Sequence, residues 1–411
     1  MKLRILSYLL LTGVVAQAQV SNTDSLTNEP LNTANNIING VSSKNITIGG
    51  YAQIDYNQPI GGENRQNGAL DVHRFVLFMG YKFGERTHFV TEIEFEHVSE
   101  VFIEQAFLNY RFNQALNFRA GLMLIPMGIV NEYHETPTFN GVERPNLDKF
   151  IVPSTWRELG VGFSGNINSL SLKYQAYIMN GFNGYSDGDG NFRGTDALRK
   201  GRQKGADSYI SSPNFSTKID YYGITGLKLG LAGYFGKSQS TAYDNLDMNN
   251  DQAVASADST VVNVAMIGID ARYQYQGFQA RAQIINANIG NTAQYNAKVN
   301  SGREAEASQM DLGSRLFGYY VEAGYDVLRL FELKTTKQLI LFTRYEVYNT
   351  HQETAGELAI NDAYNRTDVT LGATLKLTPG AALKADYQFR SDKVEGSDPT
   401  NMLNFGIGIW F

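Results

Sequence analysis

The feature that most constrains this chain is a long series of segments in which apolar and polar residues alternate with a period of two. In one of them, Val369, Leu371 and Ala373 alternate with Thr370 and Gly372. Successive side chains of a β-strand point to opposite faces, so this pattern predicts strands with one apolar face. A helix would need apolar residues at spacings of three and four, which these segments lack. The alternation therefore predicts an all-β protein.

The alternating segments number sixteen, and most are 11–14 residues long. They lie at 45–57, 71–83, 86–98, 100–112, 115–125, 156–166, 169–180, 215–223, 225–237, 260–275, 277–289, 313–329, 336–350, 366–377, 380–392 and 401–411. Strands of soluble proteins usually have about five or six residues. A tilted strand that crosses a bilayer needs about 9–11. The even number and the length together predict a transmembrane antiparallel β-barrel.

The connections between these segments differ in length from one end of the predicted barrel to the other. Those after even-numbered segments are short turns, whereas most of the others are long: 58–70, 126–155, 181–214, 238–259, 290–312, 351–365 and 393–400. Short periplasmic turns and long extracellular loops are typical of outer-membrane barrels. Closure also removes the sheet edges, whose unpaired backbone groups would cost several kcal/mol each in hydrocarbon. A soluble repeat protein such as a propeller would need a fixed-period repeat, which the sequence lacks.

The N-terminus has the layout of a secretory signal peptide. Two basic residues precede an apolar run, and Ala16-Gln17-Ala18 fits a small-x-small cleavage site. This predicts a signal peptide at 1–18. The polar tract at 19–44 has no periodicity and is expected to be flexible, and the barrel is expected to span 45–411. The predicted location is the outer membrane of a Gram-negative bacterium.

The C-terminal segment supports this location. Leu403, Phe405, Ile407 and Ile409 share one face with the terminal Phe411. A terminal aromatic residue on a lipid-facing side resembles the signal that the barrel assembly machinery recognises. The expected partners of the outer surface are therefore outer-membrane lipid and lipopolysaccharide, with the assembly machinery contacting Phe411.

If the apolar faces contact lipid, the opposite faces line a lumen, where charges set selectivity. The predicted pore-lining residues are Arg74, Arg111, Arg119, Lys173, Lys228, Arg272, Arg281, Arg344, Arg390, Glu92, Glu94 and Glu96. Basic and acidic residues are nearly balanced on these faces, and most are expected to pair across strands. The long connections are acidic, whereas the strands and turns carry a small positive charge. This pattern does not predict strong ion selectivity.

The 30-residue connection at 126–155 is long enough to narrow a sixteen-stranded pore if it folds inward. The candidate constriction charges are then Glu132, Glu135, Glu143 and Arg144. The alternative is a loop on the outer surface of the protein.

The composition and the motifs of the chain argue against several other functions. The chain has no cysteine, which excludes thiolate metal sites and cysteine nucleophiles. Its five histidines lack the spacing of known metal-binding motifs, and no phosphate-binding or dinucleotide-binding motif is found. A net charge of −6 argues against nucleic acid binding. We expect no enzyme activity, no cofactor and no metal site, and the sequence leaves open whether 187–191 (DGDGN) binds calcium.

One part of the chain resembles a known family. Ala106 to Gly165 contains AFLNYRFNQALNFRAGLMLIPMG, ERP and WRELGVGFSG, and this stretch resembles the phosphate-selective porin O and P family. DVHRFVLFMGYKF and YIMNGFNGYSDGDGN resemble neighbouring parts of the same family. The resemblance implies a sixteen-stranded homotrimeric channel with an inward third loop, and Arg74, Arg119 and Arg144 match its basic lining. Three glutamates on the third predicted strand depart from that cationic lining.

The sequence thus predicts a porin that allows passive diffusion of small hydrophilic solutes or ions, with small anions such as phosphate among the candidates. The alternative is an outer-membrane adhesin or scaffold barrel whose lumen is plugged and whose loops bind a partner.

Overall fold

Sixteen antiparallel strands close into a barrel in the computed structural model of the chain. The structure describes residues 45–61, 66–301, 303, 309–331 and 335–411, so the predicted signal peptide and polar tract lie outside the described residues. The last strand pairs with the first, with Ile54 opposite Ile407. Every barrel strand therefore has two hydrogen-bonded neighbours.

We label the barrel strands β1 to β16 in chain order. They are β1 (Ile46–Ile60), β2 (Ala69–Lys82), β3 (Thr87–Glu96), β4 (Glu100–Asn113), β5 (Leu116–Leu124), β6 (Arg157–Ile167), β7 (Leu172–Met179), β8 (Asn214–Ile224), β9 (Leu227–Lys237), β10 (Asn263–Tyr275), β11 (Phe278–Gly290), β12 (Arg315–Asp326), β13 (Gln338–Glu353), β14 (Asn365–Thr378), β15 (Ala381–Asp392) and β16 (Thr400–Trp410). All sixteen predicted strands are present, with ends that differ by at most three residues. The predicted antiparallel barrel is confirmed.

The outer face of the barrel is apolar. On β10, the outward Ile267 and Ile269 are 50% and 57% exposed, whereas the inward Met266 and Asp270 are buried. Aromatic side chains pair on the outer face at the short-turn end, where the Tyr81 and Phe83 rings lie 4.8 Å apart. An apolar band with aromatic residues at its border is the surface that a bilayer-spanning barrel presents to lipid.

Short helices lie in the long connections. They are α1 (Leu147–Phe150), α2 (Asp251–Asp258) and α3 (Thr292–Asn300). A small sheet of Asn183–Ser186, Asp189–Gly190 and Gln239–Ser240 joins two of these connections. Within the described residues, every helix is too short or too polar to traverse a bilayer.

The connection between β5 and β6 lies inside the barrel. We call residues 126–155 the inner segment. Ile129, Phe139 and Val142 are at most 2% exposed. They join an interior in which apolar residues of the barrel wall, such as Phe107 and Met266, are also buried. The lumen therefore contains a packed layer in addition to the wall.

An irregularity in β4 departs from the predicted strand. Glu92 lies opposite Gln105, but the next residue, Ile93, lies opposite Ile103. Glu104 is thus an extra residue on β4, and both Glu104 and Gln105 are buried. A bulge of this kind turns two consecutive side chains to the same side of a sheet.

Gly121 on β5 provides a test of the wall packing. Its φ is +135°, and an added Cβ would lie 2.3 Å from the carbonyl oxygen of Ala106. We expect Gly121→Ala to lower the free energy of unfolding by about 2–4 kcal/mol through backbone strain and overpacking. Urea titration of the protein in lipid, followed by tryptophan fluorescence, measures the change.

Gly84→Ala is the control, because a Cβ there meets no described atom within 4 Å and the residue lies in the β2–β3 turn. Equal unfolding free energies for the two variants would contradict the packing described for β5.

Candidate functional site

The inner segment is irregular because of its sequence. Four of the nine prolines of the chain lie in it, at 126, 137, 145 and 153. Gly128 and Gly141 have φ values of +72° and +78°. Proline removes a backbone donor and interrupts regular structure, so outside α1 the segment has few backbone hydrogen bonds within itself. Buried backbone groups nevertheless need partners, and the barrel wall supplies them.

Basic side chains of the wall bind carbonyl oxygens of the inner segment. Lys218 Nζ donates to the carbonyl oxygen of Gly128 at 2.7 Å. Lys384 Nζ donates to those of Thr136 and Phe139 at 2.6 and 2.8 Å. These charge-assisted hydrogen bonds fix the segment at points on opposite parts of the wall.

Two arginines of the wall extend this pattern. Arg281 donates to the carbonyl oxygen of Thr138. Arg344 Nη2 donates to that of Glu143 at 3.3 Å. Several cations predicted to line a pore thus hold the inner segment in place.

Acidic and amide side chains of the wall accept from backbone N–H groups of the segment. The pairs are Gln283 with Ile129 at 2.7 Å, Asp386 with Val142 at 2.6 Å, and Glu346 with Leu147 at 3.1 Å. The wall therefore matches both the donors and the acceptors of the segment backbone.

Side chains of the segment also pair with the wall. Glu132 lies 2.9 Å from Lys218 and 3.8 Å from Lys173. Burial raises the pKa of Glu132, but these two cations outweigh burial and hold the pKa below its usual range. Lys228 Nζ donates to the Tyr133 hydroxyl at 3.0 Å. Burial likewise raises the pKa of Tyr133, and the surrounding cations, first Lys173 and then Lys228, bring it below its usual value.

The other candidate constriction charges occupy different positions. Glu135 is buried, and Asn57 donates to the Glu143 carboxylate at 3.0 Å. Arg144 binds the carbonyl oxygen of His134 at 3.0 Å within the segment itself. Burial, and then the charge of Arg74, lower the pKa of the Arg144 guanidinium.

The twelve predicted pore-lining residues divide into two groups on the inner face. Six are at most 9% exposed: Arg74, Glu92, Glu94, Lys228, Arg272 and Arg344. These are engaged by the inner segment or by each other; Arg74, for example, lies 3.1 Å from Glu94. The remaining six are partly exposed: Arg111, Arg119, Lys173, Arg281, Arg390 and Glu96.

Basic residues are concentrated on the inner face at the short-turn end of the barrel. Nine basic residues and one acidic residue, Asp326, face inward close to the short turns, within three residues of a strand end. We call the nine the basic vestibule: Lys82, Arg111, Arg119, Lys173, Lys228, Arg272, Arg281, Lys376 and Lys384. Arg119 is held by Asn109 at 3.1 Å and by the Tyr177 hydroxyl at 3.2 Å. The inward carboxylates lie mainly nearer the long-loop end.

The long connection at 180–213 covers part of the inner segment. Arg199 Nη1 donates to the carbonyl oxygen of Ser154 at 2.7 Å, and Arg202 Nη1 donates to that of Pro153 at 3.0 Å. Burial, followed by the charge of Arg199, lowers the pKa of Arg202 to about 9. Arg199 and Arg202 of this connection thus contact the protein interior.

The period-two alternation did not identify one buried acidic residue, Glu104. The bulge places it beside His134 of the inner segment, whose Nε2 atom lies 3.1 Å from Glu104 Oε2. The sequence of β4 contains a signal for the bulge. Its outward apolar residues change from odd numbers, Val101 and Ile103, to an even number, Leu108, and all three are exposed. Such a change of phase within one strand marks an inserted residue.

No known family profile matches the chain. An uncharacterized protein of Aquifex aeolicus (strain VF5) is 31% identical over 353 residues, which cover 84% of this chain and 75% of that protein. This level of identity and coverage indicates common descent.

Solved structures with a similar fold are outer-membrane proteins. A loop L8 deletion mutant of OmpT, an outer membrane protein of Vibrio cholerae, has a TM-score of 0.54 at 11% identity and covers 90% of this chain and 100% of its own. The outer membrane channel DcaP of Acinetobacter baumannii has a TM-score of 0.54 at 11% identity, with coverages of 89% and 97%. An anion-selective porin from Comamonas acidovorans has a TM-score of 0.51 at 12% identity, with coverages of 89% and 99%.

These identities relate the folds alone, and the phosphate-selective subfamily stays a prediction. The chain has the barrel fold of outer-membrane porins, and it belongs to the same protein family as the uncharacterized Aquifex aeolicus protein.

Proposed function

We propose that the protein is an outer-membrane channel of the porin type, which lets small hydrophilic solutes cross by passive diffusion. The observation that carries this proposal is a closed barrel of sixteen strands with an apolar outer face and a charged lumen narrowed by the inner segment. Barrels of about 16–18 strands enclose an aqueous channel. The fold similarity to a channel and to an anion-selective porin supports the same function.

The outer surface supports a location in the outer membrane. Phe411, at the C-terminus, is 59% exposed, and its ring lies 6.4 Å from that of the outward Phe75. Recognition of Phe411 by the assembly machinery, contact with lipid and lipopolysaccharide, and a homotrimeric state belong to this proposal. The protein is proposed to transport without catalysing a reaction.

Small anions are the proposed solutes. The basic vestibule carries nine basic residues against one carboxylate at the short-turn end, which would face the periplasm, and six of the nine are partly exposed. Lys228, Arg272 and Lys384 are buried and engaged by the inner segment or by neighbouring carboxylates. A lumen lined by one sign of charge raises the local concentration of ions of the opposite sign. The vestibule would therefore favour anions, with phosphate as one candidate.

Two measurements test the channel itself. The purified protein should produce stepwise conductance in planar bilayers, and liposomes that contain it should swell in solutions of small sugars. A protein that inserts but neither conducts nor permits swelling would instead support a scaffold or adhesin with a plugged lumen.

Arg119→Glu tests the role of the vestibule. Arg119 is partly exposed on the inner face of β5, and reversal of its charge should lower the ratio of anion to cation permeability about threefold at low salt. The reversal potential in a KCl gradient gives this ratio. Arg86→Glu is the matched control, since Arg86 is exposed in the β2–β3 turn at the same end. An equal shift in both variants would show that the vestibule does not set selectivity.

Lys384→Met tests whether the inner segment sets the width of the channel. The change leaves the carbonyl oxygens of Thr136 and Phe139 without their charged donor. We expect a loss of about 2–4 kcal/mol of stability and faster hydrogen exchange in this part of the segment. Single-channel conductance should rise because the constriction loosens locally.

Lys237→Met is the control for this variant, because Lys237 is exposed at the end of β9. If Lys384→Met loosens the segment but leaves conductance unchanged, the channel is not limited by residues 136–139.

A further inference from the structure

A buried group of side chains joins the inner segment to the wall. We propose that Glu92, Glu104 and His134 bind one divalent transition-metal ion between β3, β4 and the inner segment. This site goes beyond the proposed channel function and does not depend on conduction. The sequence did not predict it, because its three residues lie on separate elements and become neighbours only when the inner segment enters the barrel.

The geometry brings three ligand atoms together. One oxygen of each carboxylate and one ring nitrogen all lie within 4.8 Å of one another. Glu92 and Glu104 are 0% exposed and His134 is 1% exposed. Metal–ligand bonds of about 2.0–2.2 Å would require the side chains to draw together by about an ångström.

The group contains a buried oxygen that lacks a hydrogen-bond partner. Oε1 of Glu92 has no donor among the described residues, whereas Oε2 accepts from Gln105 Nε2 at 2.5 Å. A carboxylate oxygen excluded from water is costly to leave uncompensated. A cation in the group would compensate it directly.

The orientation of His134 suits a metal ligand. Its Nδ1 atom lies 3.3 Å from the carbonyl oxygen of Asn131, while Nε2 faces Glu104. Metal-binding histidines usually donate one ring N–H to a carbonyl or carboxylate, which leaves the other nitrogen for the metal. Gln105 and the Tyr51 hydroxyl, 3.4 Å from Glu104 Oε2, orient the two carboxylates in the same way.

The donor set selects the class of ion. Two carboxylates balance the charge of a divalent cation, and an imidazole nitrogen favours Zn²⁺ or a similar first-row ion over Mg²⁺ and Ca²⁺. A bound ion would link the inner segment to the wall.

Metal content of the folded protein tests the site. The full chain is folded in detergent with Zn²⁺, dialysed against metal-free buffer, and analysed for metal by mass spectrometry. We expect about one Zn²⁺ per chain, no retained Mg²⁺ under the same treatment, and a thermal unfolding midpoint that rises with Zn²⁺. Glu92→Gln and His134→Ala should each lower the retained Zn²⁺ at least tenfold.

Two features keep the result interpretable. Glu92→Gln preserves the size of the side chain, so it reports on binding even if His134→Ala does not fold. His88→Ala is the control, since His88 is another inward histidine on β3, four residues from Glu92 and nearer the short turn. Zn²⁺ that is absent from the wild-type protein, or retained equally by Glu92→Gln, would overturn the site and leave a proton-bridged ion pair. A barrel that retains Zn²⁺ but does not conduct would contradict the channel function alone.

Discussion

The structure depends on one constraint: backbone N–H and C=O groups that are removed from water must be paired. Closure of the barrel meets it for the strands, because each strand bonds to two neighbours. The inner segment meets it only in part, since its prolines interrupt regular structure outside α1. Wall side chains therefore take the place of a neighbouring strand, with Lys218 and Lys384 binding carbonyl oxygens and Asp386 accepting from an N–H group.

Because wall side chains bind the backbone of the inner segment, many charges inside the barrel have a structural role. A near balance of basic and acidic residues would be expected if they simply paired across strands. Some charges do pair across strands, as Arg74 and Glu94 do, but others bind the backbone acceptors and donors of the inner segment, and basic residues are concentrated at the short-turn end. The basic vestibule lies at the short-turn end, and carboxylates such as Glu94 and Glu346 lie deeper. Net charge therefore says less about the lumen than the position of each charge along its strand.

The strands and their faces could be predicted because a period of two is a local property of the sequence. The contacts of the inner segment could not, since Lys384 and Thr136 are separated by 248 residues and no local pattern relates them. Glu104 was not among the predicted inward residues, because the bulge in β4 reverses the alternation of faces. The exposed apolar positions of β4 change phase between Ile103 and Leu108 as a result. The local pattern thus determines the wall, and tertiary packing determines what fills it.

The apolar part of the interior limits how the proposed channel would conduct. Phe107, Met266 and Ile285 face inward but are at most 2% exposed. They belong to one buried apolar cluster with Ile129 of the inner segment and Phe182 of the connection at 180–213. Each large side chain buried in this way contributes about 1.5–3 kcal/mol. Release of the whole inner segment would expose many of these side chains, at a free-energy cost too large for routine opening. A conducting path would therefore run beside a fixed constriction, and local changes near Thr136 and Phe139 would alter its width without emptying the lumen.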